Sequence, residues 1–318
     1  MIEIKHLYKR YGRFLALNDF SLNVAQGELF GFVGSNGAGK TTTMRICVGL
    51  LKADGGEVLI DGENMLRNHR ALAEKVGYVP DYFGVYKSLS ASEYLHFFAN
   101  AYGIYGKEAD KLSEELLDLV NLTNKRDTDV NGLSRGMKQR LCLARGHVHN
   151  PDNLFLDEPA SGLDPKARYE LKEILKNLSS MGKTIIISSH ILPELAEMCT
   201  SVGIIDKGHL VLQGSIEEIH RAAAMSSPLN LTVNENQIDD VFAILQSNPY
   251  VQKVTAQGSI LKIVFTGTKE DEGKMLASLV SSNIAVNSFY REEGSLESLF
   301  MQIVSGQAAE PKKRSYYE

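Results

Sequence analysis

Residues Gly31 to Leu51 read GFVGSNGAGKTTTMRICVGLL, and this stretch restricts the fold more than any other. An apolar run leads into a turn holding Gly34, Gly37 and Gly39, and helical spacing resumes at once. Glycine loses more conformational freedom on folding than any other residue, so such a turn signals a loop from which side chains must be absent. Gly34 to Thr41, GSNGAGKT, fits the pattern G-x-x-x-x-G-K-[ST]. The backbone N–H groups of Gly34, Ser35, Asn36, Gly37, Ala38 and Gly39 can then turn inward around a polyphosphate. The helix that follows, through Lys40, Thr41 and Thr42, points its positive end at the same anion. Lys40 is expected to reach the β- and γ-phosphates, and the Thr41 hydroxyl to ligate Mg²⁺.

A phosphate loop needs a strand before it, and LFGFV supplies one. The same style of run returns in NLFLDEP and KTIIISSH, each short, apolar and ended by polar residues. Each is followed by a segment with helical spacing, as in Leu171, Ile174, Leu175 and Leu178. This alternation, which continues to about Gly214, predicts a mainly parallel sheet flanked by helices. Ligands of such sheets sit beyond the carboxyl ends of the strands. Asp157 and Glu158 follow one of these runs directly: the first can hold Mg²⁺ through its water shell, and the second can polarise a water aimed at a γ-phosphate. Asn124–Asp127, NKRD, has the letters of a guanine-reading motif but follows no strand-like run, so it reads as a polar junction between helix and loop.

The 318 residues, 43% of them hydrophobic, suffice for one large or two ordinary domains. A formal net charge of −5 argues against a nucleic-acid partner. The three cysteines, Cys47, Cys142 and Cys199, show neither a disulfide framework nor zinc spacing, which points to a reducing cytoplasm. No apolar run approaches the roughly 20 residues of a spanning helix. The N-terminus lacks the continuous apolar core of a signal peptide.

Further motifs make the chain resemble the ATP-binding cassette (ABC) family. LSRGMKQRLCLAR, Leu133 to Arg145, is similar to that family's signature motif and precedes FLDEP as the family requires. ASGLDP resembles its D-loop, with Asp164 as the acid; His190 matches its switch histidine, and Tyr11 the aromatic residue that stacks on adenine. The resemblance covers Ile2 to about Gly214. It implies a P-loop NTPase of the ABC ATPase fold: a mainly parallel sheet core, an antiparallel β subdomain and a helical subdomain over about residues 82–150. It also implies ATP hydrolysis, with Glu158, His190 and Lys40 as the catalytic residues. Leu133, Ser134, Arg135, Gly136 and Met137 would complete the ATP site of a second subunit, either a copy of this chain or a paired second ABC ATPase. A helix start with a serine hydroxyl, as at Ser134, is in its own right a second anion site.

Two departures from the family's usual letters stand out. Asp81 occupies the position where many members carry glutamine; an acid there can contact Mg²⁺ or the attacking water but cannot donate as an amide would. The signature reads Ser-Arg-Gly-Met rather than Ser-Gly-Gly-Gln. Both variants resemble exporter ATPases of the drug-resistance type, which power a separate transmembrane permease from the cytoplasmic face of a bacterial membrane. SLESLF, Ser295 to Phe300, looks like the closing pattern of the C-terminal extension these proteins carry.

The chain organisation expected from the sequence is an ABC nucleotide-binding domain over 1–218 and a linker over 219–228. An α+β ferredoxin-like accessory domain, β-α-β-β-α-β, should follow over 229–305, and a disordered tail over 306–318. Aromatic residues gather between the two halves of the nucleotide site: Tyr82, Phe83, Tyr86, Tyr94, Phe97, Phe98, Tyr102 and Tyr105. Half of them should serve the core of the helical subdomain; the rest suit a groove receiving a short permease helix. A soluble ABC ATPase of translation or DNA repair is the alternative, but no second phosphate loop or sustained heptad pattern is visible. An importer ATPase is a nearer one, separated by Asp81, Met137 and the extension.

Overall fold

The apolar runs build the central sheet. In this computed structural model, residues 1–318 are described except 83, 85–87, 292–295, 297, 298 and 301–318. The chain divides into two compact units, Met1–Ile216 and Glu217–Glu318.

The first unit opens with β1 (Ile2–Tyr11), β2 (Phe14–Val24) and β3 (Leu29–Val33), then α1 (Lys40–Cys47), β4 (Gly55–Ile60), β5 (Glu63–Asn64), α2 (His69–Lys75) and β6 (Val76–Val79). Three helices follow: α3 (Ala91–Ala101), α4 (Gly106–Leu119) and α5 (Arg135–Gly146). The chain then returns through β7 (Asn153–Leu156), α6 (Pro165–Ser180), β8 (Thr184–Ser189), α7 (Leu192–Ala196), β9 (Ser201–Asp206) and β10 (His209–Ser215). The larger sheet has the order β10-β9-β3-β8-β7-β6, parallel except for the edge strand β10. β3, β7 and β8 are buried along their whole length, which is why they read as unbroken apolar runs rather than alternating ones.

Register aligns their carboxyl ends. Val33 pairs with Ser189, Leu156 with Ile187, and Val79 with Leu156. Gly34, His190, Asp157 and Pro80 therefore leave the sheet along one rim.

A smaller antiparallel sheet, β2-β1-β4-β5, alternates inward and outward residues and lies over the first. Phe20 of β2 meets Phe32 of β3 with ring centroids 5.6 Å apart. They share one core cluster with Phe30, Met44, Phe155 and Ile186; each such side chain contributes about 1.5–3 kcal/mol on burial. In the helical region α3 starts with a capping box, Ser90 and Glu93 each bonding the other's backbone N–H. Buried Arg140 of α5 donates to the carbonyls of Val120 (2.8 Å) and Asn121 (3.1 Å) at the end of α4, and pairs with Glu170 of α6 at 3.1 Å. Asn124–Asp127 follows α4 through a short 3₁₀ turn, Thr123–Lys125.

The second unit runs α8 (Ile216–Ser226), β11 (Leu229–Val233), α9 (Ile238–Gln246), β12 (Val251–Gln257), β13 (Ile260–Phe265), α10 (Lys269–Ser281) and β14 (Val286–Arg291). From β11 onward the order is β-α-β-β-α-β, with an all-antiparallel sheet ordered β12-β13-β11-β14. Its core holds Leu229, Leu231, Leu261, Ile263, Phe265 and Leu279.

Residues 219–228, expected as a linker, are helical as far as Ser226. The alanine-rich RAAAM has strong helix propensity, and Ile219 and Ala223 are buried, one turn apart. Of SLESLF, Ser295, Glu297 and Ser298 lie outside the described residues, as does the tail 306–318.

Candidate functional site

The rim of the larger sheet opens into a cleft of about 380 Å³. Ser35 to Gly37 and Gly39 to Thr42 contribute to its wall, together with Tyr11, Asp81, Glu158, Ser161 and His190. Residues far apart in sequence thus converge on one space. The loop itself is shaped by Gly39, which takes φ +119; a Cβ there would lie 2.8 Å from Leu17 Cδ2 and 3.0 Å from the Ala16 carbonyl. Lys40, 6% exposed, donates to the carbonyls of Gly34 at 2.6 Å and Ser35 at 3.3 Å. Its Nζ lies 3.4 Å from Glu158 Oε1.

Asp157 is buried at the end of β7, and its amide donates to the Val79 carbonyl at 2.8 Å. One carboxylate oxygen, Oδ1, accepts from Thr41 Oγ1 at 3.1 Å and from Ser188 Oγ at 2.7 Å. Ser188 Oγ in turn accepts the Glu158 amide at 2.9 Å. Glu158 is held at φ +49, a conformation few L residues adopt; such strain costs about 1–3 kcal/mol and persists only where surrounding contacts impose it. Here the contacts include Ser188 on its amide and Ser161 N on its carbonyl. Glu158 Oε2 also lies 3.0 Å from His190 Nδ1. The second acid therefore stands between a cation, Lys40, and an imidazole. Burial pushes the pKa of Asp81 up, repulsion from Asp157 and Glu158 adds to the rise, and Arg135 opposes it.

The other sequence-predicted residues fall elsewhere. Ser134 caps α5, accepting the Met137 amide at 3.3 Å, and none of Leu133–Met137 lines the cleft. Asp164 caps α6 through the Ala167 amide at 2.9 Å, with Pro165 at the first helical position. Tyr82 is 88% exposed, whereas Tyr94 is fully buried and stacks edge-on against Phe98. Phe83 and Tyr86 lie outside the described residues.

A profile for ABC transporters matches residues 17–161. The linearmycin resistance ATP-binding protein LnrL of Bacillus subtilis is 31% identical over 306 residues, 95% of this chain and 98% of that protein. The chain belongs to the ABC transporter family, among its ATP-binding proteins. The bacitracin transport ATP-binding protein BcrA of Bacillus licheniformis is 34% identical over 310 residues, 96% of this chain and 98% of that one. Among solved structures, the dimeric bacterial ABC transporter cassette MJ0796 is 27% identical with a TM-score of 0.62, covering 68% of this chain and 99% of the cassette. A dimeric post-hydrolysis state of the same cassette, bound to ADP and Pi, is 26% identical with a TM-score of 0.61 over 68% of this chain and 99% of that one. The first unit thus has the fold of an ABC ATPase, which binds and hydrolyses ATP.

Two features of this ABC ATPase's cleft escape sequence reasoning. Ser188 ties both acids to β8, yet inside TIIISSH it reads as strand filler. Phe14 pairs across the hairpin with Tyr11, also lines the cleft, and is 59% exposed; an exposed aromatic directly facing Tyr11 in a two-residue hairpin is the signal that could have found it.

Proposed function

We propose that this chain is the ATP-hydrolysing subunit of an ABC exporter, drives a separate transmembrane permease, and works as a head-to-tail pair with ATP between two protomers. The single observation carrying the reading is the convergence of Lys40, Glu158, His190 and Tyr11 on one cleft. Full-length similarity to proteins named for linearmycin resistance and bacitracin transport favours export.

In this reading the loop amides and Lys40 bind the phosphates, and Tyr11 stacks on adenine with Phe14 beside it. Glu158 accepts the proton of the attacking water as the bond to the ADP leaving group breaks. His190 orients Glu158 and hydrogen-bonds the γ-phosphate. Thr41 and Asp157 offer hydroxyl and carboxylate oxygens side by side, a donor set that suits Mg²⁺, which would neutralise phosphate charge; Asp81 is the neighbouring acid. Among the described residues there is no cluster of three or more His, Cys, Asp or Glu fit to hold a metal, so the cation would arrive with the nucleotide. Leu133 to Met137 serve the partner's site, and Asp164 fixes the D-loop's exit into α6. The second unit is read as a ferredoxin-like accessory domain.

Among the described residues no helix is long and apolar enough to cross a membrane, which suits a peripheral subunit at the cytoplasmic face. A groove of about 380 Å³ beside the helical region, lined by Leu50, Leu72, Phe98, Tyr102, Arg145 and His149, would receive the permease. Tyr102 stacks on His149 there at 4.3 Å. The test is Glu158→Gln in the full chain. Turnover should fall by about 10²–10⁴-fold, while ATP binding persists and light scattering detects an ATP-dependent dimer. Undiminished turnover, or no dimer at saturating ATP, would overturn the reading.

A further inference from the structure

The unusual arginine of the signature motif does not simply project away from its own protomer. An ideal Cβ on Gly162 would lie 2.6 Å from Arg135 Nη1, 2.7 Å from Cζ and 3.0 Å from Nη2. An edge-on fork would bring both nitrogens nearer than the carbon. Near-equal distances mean that the guanidinium lies face-on against Gly162, as its planar, delocalised shape allows. Gly162 sits at φ +65 and follows Ser161, which lines the ATP cleft.

The turn around Gly162 is held by hydrogen bonds from Ser161 N to the Glu158 carbonyl (3.1 Å), from Leu163 N to the Ala160 carbonyl (3.3 Å) and from Arg168 Nη2 to the Leu163 carbonyl (3.5 Å). The next signature residue closes the block from below, since a Cβ on Gly136 would come within 2.5 Å of Ala167 Cβ at the start of α6. Arg135 also acts on Asp81, where Asp157 and Glu158 repel and Arg135 attracts. The two departures from the family's usual letters, an acid at 81 and a cation at 135, thus act on each other electrostatically within one protomer.

We propose that Arg135 is a positioning residue in cis: its guanidinium clamps the Gly162 turn of its own D-loop and thereby sets Ser161 and Glu158 in the ATP cleft of the same chain. This rests on the reading of that cleft as the site of ATP hydrolysis, and it adds a role for a residue otherwise assigned to the partner's site.

The test uses the full chain carrying Ser161→Cys as a reporter; Cys47, Cys142 and Cys199 are all buried, so the new thiol is the reactive one. Maleimide labelling is followed in nucleotide-free, dilute, monomeric protein, alongside kcat and KM for ATP in the same chain without the reporter. Arg135→Gly should raise the labelling rate about three- to tenfold by loosening the turn. It should lower kcat about tenfold through misplacement of Glu158, with KM within about twofold. Arg135→Lys, charged but not planar, should recover only part of both. Arg135→Ala serves if Arg135→Gly does not fold, and Gly162→Ala, which strains the turn directly at φ +65, is the positive control that shows the reporter responds to a disturbed turn. Unchanged labelling, with or without a fall in kcat, overturns the clamp; faster labelling with normal kcat overturns its bearing on hydrolysis. A parent chain that hydrolyses no ATP fails the functional reading instead, and the labelling series still decides the clamp.

Discussion

Ser188→Ala is the most informative single change, because one buried oxygen holds both acids. Ser188 is fully buried; its hydroxyl donates to Asp157 Oδ1 at 2.7 Å and accepts the Glu158 amide at 2.9 Å. A hydrogen bond to a charged group contributes about 1.5–3 kcal/mol, and an unsatisfied buried amide costs about 1–3 kcal/mol. Because the two bonds share an atom they do not simply add, and a loss of about 3 kcal/mol is expected. For the unit Met1–Ile216, about 2–4 °C per kcal/mol gives a melting-temperature drop of about 6–12 °C. The strained φ of Glu158 should relax as well, so kcat should fall about tenfold or more even at temperatures where the protein stays folded. Ser189→Ala is the control. Among the described residues its hydroxyl accepts the Ile191 amide, at 3.1 Å, and touches neither acid, so it should cost about 1 kcal/mol and leave kcat near the parent value. Calorimetry and phosphate release read both quantities. Equal, small effects from the two substitutions would refute the argument that Ser188 organises the acids.

Other changes probe neighbouring parts of the cleft. Gly39→Ala places a Cβ 2.8 Å from Leu17 at φ +119; it should destabilise by at least about 2 kcal/mol and weaken binding of a fluorescent ATP analogue. Tyr11→Ala should raise KM for ATP about five- to tenfold, the loss of one stacked base, while Tyr11→Phe stays near the parent. His147 is buried, and burial, with Lys183 and His149 adding repulsion, pushes its pKa from 6.5 down to about 4. The unfolded chain then binds the proton first, so stability is complete above pH 6.5 and is lost as pH falls toward 4. By pH 5 the loss is on the order of 2 kcal/mol, and His149, shifted the same way, adds to it. Denaturant titrations of the parent and His147→Gln at pH 7 and pH 5 should show a smaller drop in the variant.

That these segments would meet at one cleft was legible in sequence because its parts are local. A phosphate loop, a strand ending in two acids and a strand ending in histidine each carry their own signal, and parallel register brings the three ends to one rim. What was hidden is tertiary. Ser188 contacts Asp157 across thirty-one positions of sequence, and nothing in TIIISSH separates a serine that packs from one that organises carboxylates. The meeting of Arg135 with Gly162 depends on how the starts of α5 and α6 pack, which periodicity does not encode. The segment 219–228 read as a linker, and its alanines make it helical as far as Ser226. The aromatic stretch after β6 split as its residues did: Tyr94 went to the core, and Phe98 and Tyr102 to the groove.

β6 is only Val76–Val79, about 10 Å from end to end, yet it belongs to two places. Val76 and Tyr78 line the groove, and the Val79 carbonyl grips the Asp157 amide one residue before the chain leaves for Pro80 and Asp81. If the groove takes the permease as proposed, so short a push-rod would leave little slack between socket and fuel chamber, and mechanical load on one end would be felt at the other as displacement.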